Sequence, residues 1–208
     1  MFKQNINIKK NSGFTLVEIA IVLVIIGLLI GGVLKGQEMI NNAKIKRIGT
    51  DFDGVAAAIF SYQDRYRALP GDDLGASRWG LSGTDLGDGD GTYNTQAWDS
   101  TTDTHETRLF WRHLRYSNLI PGDVTTYKQP SNAYGGIIGV QVSNFGLTGT
   151  VICMNNIDGA NALIIDTQLD DGKPDTGSLR AHTSSTNATP IADSYGSTTN
   201  TYTICKKL

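Results

Sequence analysis

The sequence is poor in the side chains that build metal centres and nucleophilic active sites. It holds two cysteines and three histidines in 208 residues. The histidines, His105, His113 and His182, stand far apart and lack the cysteine or glutamate spacing typical of a zinc site. No nucleophile stands beside a general base in a catalytic spacing. We therefore expect a protein that is not an enzyme and that requires no cofactor.

An excess of basic charge is also missing. Lysine and arginine together number 18 against 20 acidic residues, so the formal net charge is −2. Nucleic-acid-binding domains carry a basic patch that attracts phosphates, and a mildly acidic chain offers no such patch. The sequence gives no indication of a nucleic-acid partner. Its 24 glycines point instead to a loop-rich domain.

Charged residues are almost absent from residues 14–34, an apolar run in which Glu18 is the only charge. As a helix this run would be about 31 Å long, enough to cross the hydrocarbon core of a bilayer. Lys3, Lys9 and Lys10 precede it and no acid does, so the positive-inside rule predicts a cytoplasmic N-terminus and an exported remainder. A secretory signal peptide is the alternative, but its apolar core would be shorter and would end in an A-x-A-like cleavage site.

Glu18 is unusual because an ionised carboxylate within lipid costs on the order of 3 kcal/mol. No lysine, arginine or histidine lies in the segment to pair with it. Cleavage after Gly13 would create an amine on Phe14, about 6 Å from Glu18 along a helix axis. A carboxylate on one copy and an amine on another would neutralise each other and fix the offset between the two chains. Alternatively, Glu18 reaches the lipid headgroups from near the start of the segment.

The run Gly13-Phe14-Thr15-Leu16-Val17-Glu18 resembles the prepilin processing motif of type IV pilins and of type II secretion pseudopilins. The resemblance implies that a prepilin peptidase removes the leader at residues 1–13, that Phe14 becomes N-methylated, and that Glu18 registers subunits in a helical filament. The leader holds three lysines and no acid, so its removal would change the formal charge from −2 to −5. Looser likeness to the family continues in residues 69–72, 110–114 and 169–172.

Beyond the membrane segment, apolar residues recur at helical spacing and predict one buried stripe. The stripe consists of Ile45, Ile48, Phe52, Val55, Ile59, Tyr62, Tyr66 and Leu69. We expect the helix to end at Leu69 because the residue before a proline avoids the helical conformation. This divides the chain into a leader at 1–13, a transmembrane half-helix at 14–34, an amphipathic half-helix at 35–69 and a globular head at 70–208.

The head is predicted to be α+β, with the long N-terminal helix packed against a small, loop-rich antiparallel sheet, as in pilins. Short helices are expected over 106–117 and over 160–169, the second capped by Asp158, and His113 is expected to pack within the first. Strands are expected over 135–142, 148–154, 179–182 and 202–206, with a polar loop over 184–201.

Cys153 and Cys205 are expected to form one disulfide, since exported domains oxidise their cysteine pairs. Such a bond would close a loop of about 53 residues and contribute roughly 4 kcal/mol in the chain-entropy model. Two buried free thiols are the alternative.

Residues 85–93 have the acid and glycine content of a loop that binds calcium through oxygen. Asp85, Asp88 and Asp90, with the Thr92 carbonyl, are the candidate ligands. The loop is not an EF-hand, because Gln96 occupies the place of the bidentate glutamate. Gly-Asp turns also form without any metal, so an ordinary turn is the alternative.

Other candidates have simpler explanations. The acids of a second cluster are expected to brace the end of a short helix and the following turn; they are Asp166, Asp170, Asp171 and Asp175. Trp79 and Trp98 are weak candidates for stacking on a sugar or nucleobase, whereas Trp111 is expected in the core.

The sequence therefore predicts a structural subunit of a type IV pilus-like filament. Its expected partners are further copies of itself, a prepilin peptidase and an inner-membrane assembly machinery. Before assembly it would sit in the bacterial inner membrane with a periplasmic head, and afterwards in an extracellular pilus. The alternatives are a pseudopilin in a periplasmic pseudopilus of a type II secretion system, and a minor pilin that acts as a tip adhesin.

Overall fold

The computed structural model describes residues 13–94, 96–183, 189–190, 194–196 and 200–208. Most of the predicted polar loop at 184–201, and all of the leader except Gly13, lie outside the described residues. The helices are α1 (Leu16–Tyr66), α2 (Glu106–Tyr116) and α3 (Gly159–Leu169). The strands are β1 (Ile138–Asn144), β2 (Leu147–Asp158), β3 (Leu179–His182) and β4 (Thr201–Lys207). A long N-terminal helix and a four-stranded antiparallel sheet confirm the α+β, pilin-like fold class.

By its internal contacts the chain forms two compact units, Met1–Asn42 and Ala43–Leu208. The first unit contains the apolar part of α1. The most apolar stretch of 18 residues in this helix has no residue buried within the molecule. This helix is long and apolar enough to cross a membrane. The second unit contains the rest of α1 together with the sheet and the two short helices.

Within the second unit, α1 buries the stripe that its sequence predicts. Ile48, Phe52 and Ile59 are fully enclosed, and Tyr66 and Leu69 pack partly buried against the same core. Because these residues recur every three or four positions, they lie along one face of the helix. That face is covered by α2 and by one face of the sheet.

The helix ends earlier than the proline predicts. Arg67 adopts a left-handed conformation with φ of 55°, and its N–H donates to the Gln63 carbonyl at 2.9 Å. A left-handed residue after the last turn is a common way for a helix to end. The predicted end at Leu69 is therefore wrong by three residues, and the chain reaches Pro70 already outside the helix.

The sheet has the strand order β1-β2-β4-β3, so the last strand of the chain lies between β2 and β3. The predicted strand over 148–154 is longer than expected and continues to Asp158. A register shift between Met154 and Ile157 interrupts its pairing with β4, and Asn156 there has φ of 63°. This bulge interrupts the alternation of buried and exposed residues, so the alternating pattern in the sequence does not reveal the second part of the strand.

The central strand β2 is covered on both of its faces. Ile152 and Met154 point into the core under α1, while Val151 and Cys153 belong to a second cluster with Trp98 and others on the opposite face. Alternate residues of a strand point to opposite faces, so the two sets follow directly from the pleat.

Cys153 and Cys205 form a disulfide within this second cluster. The two residues are direct partners in the antiparallel pairing of β2 with β4, and both are fully buried. The Asn144 amide lies 3.3 Å from the Cys205 sulfur. The predicted disulfide is thus present, and it joins the end of the chain to the centre of the sheet.

Trp98 is fully buried, so the hypothesis that it stacks on a sugar or nucleobase is wrong. Its backbone N–H donates to the Gln141 side-chain oxygen at 2.9 Å, and its backbone carbonyl accepts from the Gln129 side-chain amide at 2.7 Å. A Cβ at position 139 would lie 2.3 Å from the Trp98 carbonyl oxygen, so Gly139 is what allows this approach. Trp111 is buried in the core as expected, and Trp79 is half-buried against it.

Removing the disulfide is expected to destabilise the second unit. The double variant Cys153→Ala/Cys205→Ala should lower the free energy of unfolding by about 4 kcal/mol in the chain-entropy model. Because all three tryptophans lie in this unit, their fluorescence during denaturant unfolding measures the change. A reductant should destabilise the wild type and leave the double variant unchanged; equal stability of the two proteins would contradict the prediction.

Candidate assembly segment and acidic loop

The junction between Gly13 and Phe14 lies in irregular backbone directly before α1. Both residues are exposed, and the Phe14 side chain is 85% accessible. A peptidase acts on extended backbone, so cleavage at this point needs no unwinding of the helix. The structure thus places the two candidate processing residues where an enzyme can reach them.

Glu18 is held by its own helix terminus. Its Oε2 accepts hydrogen bonds from the Thr15 N–H and hydroxyl, both at 2.8 Å, and the Thr15 hydroxyl accepts from the Glu18 N–H at 3.2 Å. This reciprocal arrangement is a capping box, in which two residues three apart satisfy the free N–H groups of the first turn. Both hydrogen bonds to the carboxylate are accepted by Oε2.

The apolar part of α1 presents large side chains all around the helix. Those of Leu16, Leu23 and Leu28, for example, are each more than 60% exposed. A helix that is apolar on every side is suited to lipid or to packing among other helices. Glu18 is the only charge along the apolar run at 14–34.

The acidic loop, residues 85–94, wraps around Asp72, which follows α1. The N–H groups of Gly89 and Gly91 donate to the two Asp72 carboxylate oxygens at 2.5 and 2.7 Å. Carboxylate oxygens of Asp72, Asp88 and Asp90 all lie within 4.8 Å of one another. Asp72 is only 2% exposed, so one of the three acids is nearly buried.

Asp85 does not belong to this group, although the sequence places it with Asp88 and Asp90. Its carboxylate forms an ion pair of 2.5 Å with Arg112 and accepts a hydrogen bond from the Tyr127 hydroxyl. Its carbonyl contacts Nε2 of His113 at 3.0 Å, and Nδ1 of His113 accepts from the Gly71 N–H at 2.9 Å. Asp85 therefore anchors the start of the loop to α2.

His113 has the packing role expected of it, since it is fully buried and joins the loop to the segment that follows α1. Burial lowers its pKa, so the ring is neutral and accepts at Nδ1. His105 and His182 are half-buried. The His105 ring contacts the Ser100 hydroxyl at 2.8 Å.

Glu106 brings a fourth carboxylate to the acidic loop from the first turn of α2. It is 4% exposed and accepts from the Asp88 N–H at 3.3 Å and from the Asn94 amide at 3.0 Å. Burial raises the pKa of Glu106 to about 7, and the charges of Asp72 and Asp88 contribute to the shift. Asp72, Asp88, Asp90 and Glu106 thus form one cluster of carboxyl groups.

The second acidic cluster braces the turn after α3, as expected. Asp166 accepts from the Gly172 N–H at 3.2 Å and from the Tyr195 hydroxyl at 2.5 Å. Asp170 accepts from two backbone N–H groups at the start of β3, and Asp171 accepts from the Lys173 N–H. Asp158 caps α3 through the Asn161 N–H.

Sequence reasoning missed three residues of these sites. Thr15 was detectable, because a threonine followed three positions later by glutamate before an apolar run is the capping-box signature. Asp72 and Glu106 carried no such local signal, since each lies more than ten residues from the loop that it contacts.

Comparison with known proteins agrees with the N-terminal geometry. Residues 8–34 match the family model of the prokaryotic N-terminal methylation motif, which is the prepilin-type motif of type IV pilins and pseudopilins. The motif implies processing by a prepilin peptidase and assembly into pilus-like filaments, and it is typical of structural proteins. No curated protein matches the chain. The motif and the apolar helix together fit membrane anchoring before assembly.

Asp166 makes the stability of the head depend on pH. Burial raises its pKa to about 6 from an ordinary value of 3.8, and the charges of Asp171 and Asp170 add to this. The native state therefore holds this proton to higher pH than the unfolded chain does. The contribution of Asp166 to the free energy of unfolding is complete below about pH 4 and is lost as the pH rises through about 6.

We expect the free energy of unfolding of Asp166→Asn to fall less steeply with rising pH. In the wild type this fall amounts to about 3 kcal/mol at most, for a pKa shift of about two units. Urea unfolding followed by tryptophan fluorescence between about pH 4 and pH 7 measures it. Asp123→Asn, at an exposed aspartate whose pKa is lowered, is the control and should keep the wild-type slope. An unchanged slope in Asp166→Asn would refute the assignment.

Proposed function

We propose that this chain is a structural subunit of a type IV pilus-like filament, assembled through its N-terminal helix after removal of residues 1–13. The observation that carries the proposal is the placement of Glu18, the one charge of an apolar helix, beside the exposed junction of Gly13 and Phe14.

Cleavage at this junction would release an amine on Phe14, next to a carboxylate that is already oriented. Thr15 donates two hydrogen bonds to Oε2 of Glu18, and the carboxylate has further lone pairs for a partner outside the chain. In an apolar interior an amine of a second copy neutralises that charge, whereas a subunit shifted along the helix axis leaves both groups unpaired. The pair therefore selects one axial offset between neighbouring subunits.

The same apolar surface serves before and after assembly. In the inner membrane, lipid covers the exposed side chains at 14–34; in the filament, the helices of other copies cover them. The head at residues 70–208 then lies outside the helical core. Transfer between the two environments requires no large change in buried apolar area, because lipid and packed helices are both apolar.

A pseudopilin of a type II secretion system would share this helix and its chemistry. Fibres sheared from the cell surface that contain this chain would support the pilus, whereas a short periplasmic assembly required for protein export would identify the pseudopilin. The tip-adhesin alternative loses one of its two candidate contact residues, since Trp98 is buried. A chain present along the whole length of isolated fibres would exclude it.

The cleavage site is tested by Gly13→Leu. A bulky residue before the junction should block the peptidase and leave the leader attached, because the prepilin motif has a small residue at the place of Gly13. Intact-mass measurement of membrane fractions should then show the full-length chain, against a processed and methylated chain in the wild type. A processed mass in the variant would place cleavage elsewhere.

The registry role of Glu18 is tested by Glu18→Gln. Glutamine retains the capping box but removes the charge, so assembly should fall by about a hundredfold if an unpaired buried amine costs about 3 kcal/mol. Electron microscopy and subunit quantification in sheared fractions measure the yield.

Two further variants separate the possible causes of such a loss. Glu38→Gln removes an exposed acid of the same helix and should assemble normally. Thr15→Val removes the cap at a cost of about 1 kcal/mol yet keeps the charge, and should retain most of the assembly. Equal loss in Thr15→Val and Glu18→Gln would show that capping, and not charge pairing, is what assembly needs.

A further inference from the structure

The side of α1 that faces away from the core of the second unit is uncovered. Its residues Lys46, Arg47, Asp53, Gly54 and Phe60 are all exposed. Phe60 is unusual among them, because it is a large apolar side chain that is 57% accessible. A Cβ at the place of Gly54 would meet nothing within 4 Å. This side of the helix is therefore open to contact with another molecule.

Helical geometry divides four of these residues between two flanks. At about 100° per residue, Asp53 and Phe60 lie about a third of a turn to one side of the buried stripe, and we call them the first flank. Arg47 and Gly54 lie about a third of a turn to the other side, and we call them the second flank. The members of each flank are seven residues apart, so each pair follows the helix axis.

The two flanks carry opposite charges that the chain itself pairs only weakly. The Asp53 carboxylate lies 3.9 Å from the Lys206 amine, and the Asp53 side chain is 79% exposed. The Arg47 guanidinium lies 3.7 Å from the Asp51 carboxylate, and the Arg47 side chain is 63% exposed. Both distances exceed hydrogen-bonding range, and exposed ion pairs contribute little to stability. Either charge can therefore pair with another molecule at little cost.

We propose that the first flank of one copy of this chain docks on the second flank of another copy, which is shifted by six residues along the helix axis. The shift amounts to about 9 Å. Asp53 of one copy then lies level with Arg47 of the other. Phe60 lies level with Gly54 at the same shift, because the members of each flank are equally far apart. The inference rests on the proposed function, since it supplies a second contact between filament subunits.

The charges of the helix disfavour an unshifted copy. Lys46 lies on the side of the helix that carries the first flank, so without a shift it would stand level with Arg47 of the other copy. Two like charges opposite each other disfavour that register. The shift of six residues removes this repulsion and replaces it with attraction between Asp53 and Arg47.

The second flank has room for the Phe60 ring. Gly54 has no side chain, and its neighbours on the back of the helix, Thr50, Ala57 and Ser61, are all small. Such residues let another molecule approach the backbone closely. Burial of the ring removes apolar surface from water, which favours association. The ring therefore supplies the apolar centre of the contact, and the ion pair lies beside it.

The occupant that fits both flanks is a second copy. The two flanks are different surfaces, so each copy presents one flank to one neighbour and the other flank to another neighbour. A contact of this heterologous kind, with a shift along the axis, extends into an open helical filament and does not close into a ring. The buried stripe lies between the flanks on the far side of the helix, so the sheet stays outside the contact.

The ion pair is tested by exchanging its charges in the full chain. Asp53→Arg and Arg47→Asp each place like charges across the contact, so the yield of sheared fibres should fall by about tenfold or more. The double variant restores opposite charges, and its yield should return to within about threefold of the wild type. Within one chain the two residues lie on different flanks and contact different partners. Such a rescue therefore requires contact between copies.

Asp64→Arg is the matched control, because it makes the same charge reversal at another exposed acid of α1. At a shift of six residues Asp64 lies level with Ala58, and no charged residue occurs between positions 54 and 62. Its fibre yield should stay near that of the wild type. Yields are expressed per oxidised, processed subunit in the membrane fraction, so that a folding defect is not counted as an assembly defect. A loss equal to that of Asp53→Arg would overturn the proposal.

The apolar contact is tested from both sides. Phe60→Ala should leave the thermal unfolding of the detergent-solubilised subunit unchanged, because the ring is exposed in the isolated chain. Its fibre yield should fall by about tenfold if the ring is a central contact. Gly54→Leu fills the space that the ring occupies and should lower the yield similarly. Wild-type yields in both variants would overturn the docking geometry.

Cross-linking identifies the occupant. Fibres of Asp53→Cys/Arg47→Cys treated with a short bismaleimide should give a ladder of multimers of this chain, because every copy links to two neighbours. The native cysteines are joined and buried, so they do not react. Each single-cysteine variant should give no ladder. Cross-links to a different protein, or no ladder in the double variant, would overturn the proposal.

Failure of this contact is distinguishable from failure of the proposed function. A wild type that forms no fibres would overturn both. A wild type that forms fibres, together with a charge-exchanged double variant that stays defective, would overturn the docking of the two flanks alone. Assembly through the apolar segment and Glu18 would then stand without it.

Discussion

Water cannot solvate the apolar side chains at 14–34 without a large cost, because removing apolar surface from water is worth about 25 cal/mol per Å². These side chains are exposed in the isolated chain, so lipid or other protein must cover them. The same requirement determines the environment that Glu18 needs. Glu18 is tolerable there only with hydrogen-bond donors and a cation, and Thr15 already supplies the donors.

The second part of α1 meets the same requirement within its own chain. Its apolar residues are confined to one stripe, which the sheet and α2 cover, so the head needs no other subunit to bury them. The residues that cover the other face of β2 form the small cluster that contains Trp98 and the disulfide. The covalent bond therefore lies on the side of the sheet that α1 does not protect.

Electrostatics organises the region between α1 and α2. Asp73, Asp85 and Asp103 each have an arginine partner, while Asp72, Asp88, Asp90 and Glu106 take part in no ion pair within the described structure. Backbone N–H groups from Gly89 and Gly91 donate to the Asp72 carboxylate and offset part of its charge.

Local patterns in the sequence determined a large part of this molecule. The candidate processing junction, the lone acid, the buried stripe of α1 and the Asp158 cap of α3 all depend on residues within one or two helical turns. Two cysteines allow only one internal pairing. The tertiary structure decided that Asp72 and Glu106 meet the acidic loop, that Trp98 packs on Gly139, and that β4 lies between β2 and β3. These contacts join residues remote in sequence, and their free energy depends on packing and burial that no local periodicity records.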